Sequence, residues 1–250
     1  MGYIRMSAIN VSKDCVKRLV SDIKEIIKNP LNDHGIFYKH DEENMLKGYA
    51  LIVPSEGTPY SYGYFMFKFD FPPNYPYSPP KATYVTNNGN TRFHPNYYAS
   101  GKVCLSLLNT WRGEEWSSCN TISSILLHMA SIFTEKALLN EPGVREDNPK
   151  VETYDICVAF QTMKTAILDV YINRINPEKY FGIPKMFKEI IEETFILNKK
   201  KIFELLEKRK EKESFRIVQS FYSKPETIDY KTLSEQFEIY LNNWNIDNWN

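Results

Sequence analysis

The sequence predicts an α+β fold, in which a run of short strands lies between an N-terminal helix and several later helices. Three observations support this class. Apolar residues follow helical spacing between Ser12 and Pro30, four strand-like runs with short links occupy residues 35–86, and helical spacing returns after Gly143. Consecutive strands with short links pair as an antiparallel meander, which separates strands from helices as the α+β class requires.

The first helix is predicted between Ser12, which can cap its start, and Pro30, which ends it. Its apolar residues recur every three or four positions, at Val16, Leu19, Val20, Ile23, Ile26 and Ile27. The opposite face carries Lys17 and Arg18, and a solvated face is the default interpretation of such charges. The ten residues before this helix are expected to be a tail.

Four strands are predicted, at 35–39, 47–53, 62–71 and 81–86. In the third strand alternate positions are phenylalanines, which therefore share one face and should form a wall of the core: Phe65, Phe67, Phe69 and Phe71. The break at 71–80 contains five prolines. Because proline fixes φ and lacks an N–H donor, this break is predicted to be a stiff loop.

The later helices are predicted at 123–133, 151–171 and 184–210. A segment with two prolines and a glycine, residues 173–184, separates the last two and is the predicted domain boundary. At 250 residues the chain is long enough for one sizeable core and an appendage. We therefore expect a tail at 1–10, a core domain at 11–172 and a helical C-terminal extension at 173–250.

Composition narrows the class of protein. With 31 basic and 31 acidic residues the formal charge is zero, which gives no support for a nucleic-acid partner. The four cysteines form no CxxC pair and the four histidines no cluster at ligand spacing, so free thiols and no metal site are expected. No run approaches the ~20 apolar residues of a membrane span. These features favour a cytoplasmic protein, with the nucleus as a second location, that binds proteins rather than membranes.

Cys104 is the candidate catalytic residue. It follows His94 by ten positions and Asn96 by eight, in a segment punctuated by proline, asparagine and glycine with no catalytic base next to it. A thiolate forms thioesters, which amines cleave readily and water only slowly. Because nothing adjacent would drive hydrolysis, Cys104 is predicted to be a nucleophile that carries an acyl group.

Several motifs around Cys104 together resemble the core of ubiquitin-conjugating (E2) enzymes. They fall in the order and spacing of that family: Tyr75-Pro76-x-x-Pro79-Pro80, His94-Pro95-Asn96, Cys104-Leu105 and Trp116. Within the family the closer resemblance is to the E2 Z subgroup. It rests on Arg92-Phe93, on the segments 101–106 and 109–116, and on Asn140-Glu141-Pro142-Gly143. The resemblance implies a UBC-like fold with the helical extension appended.

The resemblance also implies the activity. Cys104 would accept ubiquitin or a ubiquitin-like protein from an activating (E1) enzyme as a thioester, and pass it to a lysine amine of a substrate or to a ligase (E3). ATP is consumed by the E1, so no cofactor is expected on this chain. His94 and Pro95 are implied to be structural, whereas the Asn96 amide can stabilise an oxyanion, with a turn asparagine as the alternative.

In many E2 enzymes a loop after the second helix lies beside the cysteine and carries an aspartate. Here Asn140 stands at that position and Glu141 follows it. The attacking lysine must lose a proton, and an asparagine cannot take it. Either Glu141 substitutes for the aspartate, or positioning and desolvation suffice; both alternatives stay open.

The resemblance further implies docking surfaces for E1 and E3. Lys17 and Arg18 become candidates for E1 contact, and the E3 surface would add Pro76, Tyr77, Trp116, Ser117 and Ser118. The last loop is often Ser-Pro-Ala in members that recruit ligases, so this sequence departs from the pattern for RING-type ligases. Packing against the core is an alternative role for Trp116.

Two rival functions are consistent with parts of the sequence. The first is a non-catalytic E2-like binding module, which the presence of Cys104 and Asn96 argues against. The second is a papain-like thiol hydrolase, which would need a histidine downstream of the cysteine. His128 is the only such histidine, and it lies within an apolar helix pattern.

Overall fold

The computed structural model describes residues 11–172, 183–211, 213–217 and 225–243. The elements follow in the order α1 (Lys13–Lys28), β1 (Ile36–His40), β2 (Lys47–Ile52), β3 (Phe65–Asp70), β4 (Lys81–Tyr84), α2 (Ile122–Ser131), α3 (Lys150–Gln161), α4 (Ile183–Met186), α5 (Lys188–Lys210), β5 (Phe215–Ile217), β6 (Glu226–Ile228) and α6 (Tyr230–Asn243). The predicted α+β class is confirmed. The predicted tail and most of the predicted boundary at 173–184 lie outside the described residues.

Strands β1 to β4 form one antiparallel meander in sequence order, as predicted. The register places Phe67 of β3 between Ala50 of β2 and Tyr84 of β4. One face of this sheet packs against α1 and α2. All four phenylalanines of the predicted wall are buried there, together with Leu19 and Leu126, so the period-2 prediction is confirmed.

The other face of the sheet is also buried, which the sequence analysis did not predict. Tyr64, which precedes β3, and Met66 of β3 are each 1% exposed or less and pack in a second apolar cluster. That cluster includes residues of α3 and α5, among them Phe160 and Phe195. The sheet is therefore enclosed between two helical layers, and the C-terminal extension supplies part of the second.

Helix α1 is capped as predicted, because the Ser12 hydroxyl accepts a hydrogen bond from the Cys15 backbone N–H at 3.0 Å. Its buried face differs from the predicted apolar stripe. The buried positions include Leu19 and the acidic Asp22, whereas Val16, Val20 and Ile27 of the stripe are at least 37% exposed. The helix is rotated toward Asp22 because that carboxylate has partners in neighbouring elements, described below.

Two further features depart from the sequence-based expectations. The helix predicted at 151–171 is α-helical only to Gln161 and continues as a π-helical stretch over Thr162–Asp169. The extension is not wholly helical, since β5 and β6 pair as an antiparallel ribbon. Three-residue strands carry too short an alternation to be read from sequence.

Among the helices of the described ranges, none combines the length and apolar character that crossing a bilayer demands.

Candidate active site

The segment after β4 folds back on itself and brings Asn96 beside Cys104. The Cys104 backbone N–H donates to the Asn96 carbonyl at 2.9 Å, and the Tyr98 N–H donates to the Lys102 carbonyl at 3.0 Å. Gly101 makes the turn with φ of +89°, and a Cβ there would lie 3.1 Å from the Tyr84 carbonyl oxygen. The turn thus needs glycine, and it fixes the spacing between box and cysteine.

The Asn96 side chain is held against the backbone of the cysteine. Its Nδ2 donates to the Cys104 carbonyl oxygen at 2.6 Å. An amide NH₂ has two protons, so one remains for another acceptor. This geometry places a hydrogen-bond donor at the cysteine, and it also gives Asn96 a structural contact, so both roles considered for this residue are compatible.

The Cys104 side chain is a free thiol in a covered position. The residue is only 2% exposed, and no disulfide involves it. Thr110 fixes the chain just after it, because its hydroxyl accepts from the Leu105 N–H at 2.8 Å.

His94 is buried and engaged through both ring nitrogens. Its Nδ1 accepts from the Asn96 N–H, and its Nε2 lies 3.0 Å from the Ile132 carbonyl oxygen. An acceptor at Nδ1 and a carbonyl at Nε2 require the neutral ring with its proton on Nε2. Burial lowers the pKa of His94 to about 3, so the ring stays neutral at physiological pH. These contacts support the predicted structural role, since neither ring nitrogen of His94 is free to act as a base.

Arg92 and Tyr154 hold the His-Pro-Asn box in place, a role that the sequence did not indicate. The Arg92 guanidinium donates to the Pro95 carbonyl and stacks 3.6 Å from the centroid of the Tyr98 ring. The Tyr154 hydroxyl donates to the Arg92 carbonyl at 2.8 Å. Arg92 stands two positions before His94 in the sequence, but its contacts join α3 to the loop, and such long-range contacts leave no periodic pattern in the sequence.

The loop after α2 reaches the box through Asn140. Its Nδ2 donates to the Ala137 carbonyl at 3.0 Å and lies 3.5 Å from His94 Nε2. Because both of these nitrogens carry protons, the second contact is packing rather than a hydrogen bond. Glu141 is half-buried and its N–H donates to the Leu138 carbonyl. The structure thus brings Cys104, Asn96, His94 and Asn140 into one chain of contacts, while Glu141 is adjacent to it through the backbone.

Arg18 lies inside a polar network rather than on a free surface. Its Nε bonds the Asp22 carboxylate at 2.8 Å, and its Nη1 and Nη2 donate to the Ser118 and Asn120 carbonyls at 2.6 and 2.5 Å. Asp22 is 5% exposed and also accepts from the Tyr75 hydroxyl at 2.5 Å. Arg18 therefore ties α1 to the loop that contains Ser118. Lys17, in contrast, is exposed.

The two predicted ligase-facing loops contact each other. Trp116 Nε1 donates to the Pro76 carbonyl at 2.6 Å, and its ring lies 5.9 Å from that of Tyr75. Trp116 is half-buried, which favours the packing role. Tyr77 is 65% exposed, and Ser117 and Ser118 are exposed. Together with α1, these loops form one continuous face, which we call the α1 surface.

The family assignment follows from comparison with known proteins. A family model described as ubiquitin-conjugating enzyme matches residues 18–153. The chain belongs to the ubiquitin-conjugating enzyme family. The matched range contains the box, Cys104, the Asn140 loop and most of the α1 surface, so the predicted family is confirmed.

The relatives of this ubiquitin-conjugating family member support the predicted subgroup. Ubiquitin-conjugating enzyme E2 Z of Danio rerio is 39% identical over 176 residues, covering 69% of this chain and 53% of the relative. The E2 Z protein of Xenopus tropicalis is 36% identical, covering 74% of this chain and 58% of the relative. The E2 Z protein of Homo sapiens is 37% identical, covering 73% of this chain and 50% of the relative. The chain thus spans about half the length of these curated relatives.

Within the described ranges, no three His, Cys, Asp or Glu side chains are grouped so that they could hold a metal ion.

Replacing Arg18 with alanine should lower the free energy of unfolding by about 2–4 kcal/mol. The Asp22 carboxylate would stay buried with only the Tyr75 hydroxyl beside it, and two loop carbonyls would lose their donor. Urea denaturation measures this loss. The matched control is Lys17→Ala, an exposed cation on the same helix, for which we expect a change below about 0.5 kcal/mol. Equal effects of the two substitutions would contradict the network role.

Proposed function

We propose that this chain is an E2 enzyme. It accepts ubiquitin or a ubiquitin-like modifier from an E1 as a thioester on Cys104, and transfers it to a lysine amine or to a ligase. The observation that carries the proposal is the pairing of Cys104 with Asn96, which puts an amide donor at the backbone of the cysteine. The domain limits proposed for this activity are 11–172 for the core and 173–250 for the extension.

The loading step is an exchange of thioesters. The Cys104 thiolate attacks the carbonyl of the E1-bound thioester, the new S–C bond forms, and the E1 cysteine leaves as a thiolate. No net hydrolysis occurs, because the step consumes one thioester and makes another. The His94 ring is neutral and forms hydrogen bonds through both nitrogens. It therefore has no free nitrogen that could activate water against the thioester on Cys104.

The transfer step places negative charge on the former carbonyl oxygen. A lysine amine attacks the thioester carbonyl, an oxyanion forms, and Cys104 leaves as a thiolate when the C–S bond breaks. We assign the remaining Asn96 amide proton to that oxygen, because Nδ2 is held at the backbone of Cys104 and preorganised donors stabilise oxyanions. The attacking nitrogen must lose a proton in the same step.

We propose Glu141 as the acceptor of that proton. Its loop touches the box through Asn140 and its side chain is half-buried, whereas Asn140 cannot serve because a neutral carboxamide is not a base. Glu141→Gln should then slow discharge to free lysine about 10²-fold at pH 7 while leaving E1-dependent loading unchanged. Single-turnover discharge assays measure both.

The control for Glu141 is Glu135→Gln, an exposed carboxylate that precedes the same loop. It should change discharge less than about twofold, as surface substitutions away from a site do. If Glu141→Gln is equally mild, positioning and desolvation of the lysine account for the step and the proton-acceptor role is wrong.

The α1 surface is the proposed docking site for E1 and E3. Of the two cations proposed for E1 contact, Lys17 is exposed and can bind a partner directly. Arg18 instead holds the loop that contains Ser118 against α1 through hydrogen bonds to its backbone. Tyr77, Ser117 and Ser118 present exposed side chains for a ligase, and Pro76 and Trp116 hold the two loops together. The four free cysteines favour a reducing compartment, so we place the activity in the cytoplasm, with the nucleus as a second location.

The hydrolase alternative is less consistent with the structure. It needs an imidazole that activates the thiol, and the only histidine after Cys104 in the sequence, His128, is exposed on α2. The imidazole that lies near the cysteine is His94, whose nitrogens are both engaged.

The experiment that tests the proposed function is a loading assay. The purified chain is incubated with E1, ATP and labelled ubiquitin, and with ubiquitin-like modifiers and their own E1 enzymes in parallel reactions. We expect a covalent adduct that a reductant removes and that omission of ATP prevents. Absence of an adduct with every E1 and modifier pair would overturn the assignment of an E2 activity.

A further inference from the structure

Arg92 contacts the chain on both sides of Asn96. Its guanidinium donates a hydrogen bond to the carbonyl of Pro95, the residue before Asn96, and lies 3.6 Å from the centroid of the Tyr98 ring, two residues after it. The backbone of Arg92 is itself anchored, because its carbonyl accepts from the Tyr154 hydroxyl of α3 at 2.8 Å. One half-buried side chain therefore fixes the stretch of backbone that carries the Asn96 amide.

Tyr98 lies in the turn that connects Asn96 to Cys104. Its N–H donates to the Lys102 carbonyl at 3.0 Å, and its carbonyl accepts from the Gly101 N–H at 2.8 Å. Its ring contacts a second cation, since Lys102 Nζ lies 5.6 Å from the ring centroid. The Tyr98 ring thus connects the chain that precedes the His-Pro-Asn box with the chain that precedes Cys104.

A guanidinium is suited to this double contact. Its flat face stacks on an aromatic ring and is attracted by the ring quadrupole, while the N–H groups at its edge stay available to donate hydrogen bonds. Arg92 uses both properties, stacking on the Tyr98 ring and donating to the Pro95 carbonyl. The two residues that flank Asn96 therefore cannot move apart without breaking one of these contacts.

Arg92 also supports Asn96 through His94. Burial is the main cause that lowers the pKa of His94, the hydrogen bond to the Ile132 carbonyl opposes it, and the nearby Arg92 charge lowers the pKa further. The neutral ring keeps Nδ1 as the acceptor for the Asn96 N–H at 3.0 Å. The Arg92 charge thus favours the form of His94 that holds the Asn96 backbone.

We propose that Arg92 and Tyr98 are positioning residues for transfer of the modifier, because their stack holds the Asn96 amide at the Cys104 carbonyl. They act through Asn96 rather than on the reacting atoms. The inference rests on the proposed E2 activity, in which that amide stabilises the oxyanion of the transfer step. Displacement of a catalytic group by about 1 Å can cost about 10²-fold in rate, so loss of the stack should slow transfer measurably.

The first test is single-turnover discharge of the loaded full chain to free lysine. Arg92→Met keeps a long side chain and removes both the stack and the hydrogen bond, so we expect discharge to slow about tenfold. The control is Arg216→Met, at an exposed arginine of β5, which should discharge at the wild-type rate. A wild-type rate in Arg92→Met overturns the proposal.

The second test is a double-mutant cycle with Asn96→Ala. If Arg92 acts through the Asn96 amide, Arg92→Met has no donor left to misplace once that amide is gone. It should then slow discharge of the Asn96→Ala variant less than about twofold. A general loosening of the site would slow both backgrounds alike, because a misplaced cysteine harms transfer with or without the amide. Equal slowing in the two backgrounds therefore overturns the proposal.

Two substitutions at Tyr98 test the stack itself. Tyr98→Leu removes the ring and should slow discharge about fivefold or more, whereas Tyr98→Phe should slow it less than about twofold, since a cation is attracted to the face of either ring. Equal slowing by the two substitutions overturns the stacking role. This pair also decides the proposal if Arg92→Met does not fold, and melting temperatures show which variants are folded.

A measurement on the unloaded chain separates this inference from the proposed E2 activity. Hydrogen exchange by NMR follows the Cys104 backbone N–H, which donates to the Asn96 carbonyl. Arg92→Met should accelerate this exchange about tenfold or more, and Arg216→Met should leave it unchanged. An unchanged exchange rate in Arg92→Met overturns the positioning of Asn96 by Arg92, even where the wild-type chain loads and discharges. A wild-type chain that loads with no modifier overturns the E2 activity, and the exchange rate then still decides whether Arg92 positions Asn96.

Discussion

Cys104→Ala should abolish the adduct with ubiquitin entirely, and Cys104→Ser should yield a slower adduct that survives reductant. Alanine has no nucleophile, whereas a serine hydroxyl forms an oxygen ester that thiols do not reduce or exchange readily. The measurement is gel analysis of E1-dependent loading with and without reductant. The loss should be complete because no other cysteine occupies an equivalent position.

The other three thiols explain why. Cys15 and Cys157 lie within the two apolar clusters, away from the His-Pro-Asn box, and burial raises the pKa of the Cys15 thiol, which disfavours its reactive thiolate. Cys119 is exposed and is therefore the matched control: Cys119→Ala should load at the wild-type rate. A reductant-sensitive adduct that persists in Cys104→Ala would show that another cysteine carries the acyl group.

The sequence predicted the parts of the fold that depend on local patterns. The Ser12 cap, the meander and the phenylalanine face of β3 follow from neighbouring residues, because capping and strand alternation are properties of a few consecutive positions. The box and Cys104 were also visible, since their residue types and spacing are encoded within eleven positions.

The parts that could not be predicted depend on contacts between distant segments. Arg18 reads as a solvated cation on its own helix, yet its partners include carbonyls a hundred residues away. Met66 alternates with the phenylalanines of β3, a pattern that favours an exposed position, yet it is buried in the second apolar cluster with residues of α3 and α5. Asp155 belongs to no motif, yet its Oδ1 is buried without a hydrogen-bond partner, which depends on how neighbouring segments pack around it. Tertiary burial decides the state of each of these side chains.

Asn96→Ala should slow discharge of the loaded enzyme to free lysine about 10²–10³-fold, while loading from E1 still proceeds. Removing one preorganised donor from an oxyanion site costs this much in other enzymes. The same substitution removes the hydrogen bond to the Cys104 carbonyl, which should lower the free energy of unfolding by only about 1 kcal/mol. A single-turnover chase with lysine separates the two effects, because it starts from protein that is already folded and loaded.

The control for Asn96→Ala must weaken the same loop around Cys104 while keeping the Asn96 side-chain amide. Thr110→Val does so, because the Thr110 hydroxyl accepts from the Leu105 N–H and donates to the Leu105 carbonyl on the other side of Cys104. We expect it to lower stability by a similar amount, about 1 kcal/mol, and to slow discharge less than about fivefold. Normal discharge in Asn96→Ala would leave that residue only its structural contact. Both substitutions loosen the loop around Cys104, but only Asn96→Ala removes a donor from the oxyanion. Equal slowing of discharge in the two variants would therefore show that displacement of the cysteine, and not loss of the donor, causes the effect.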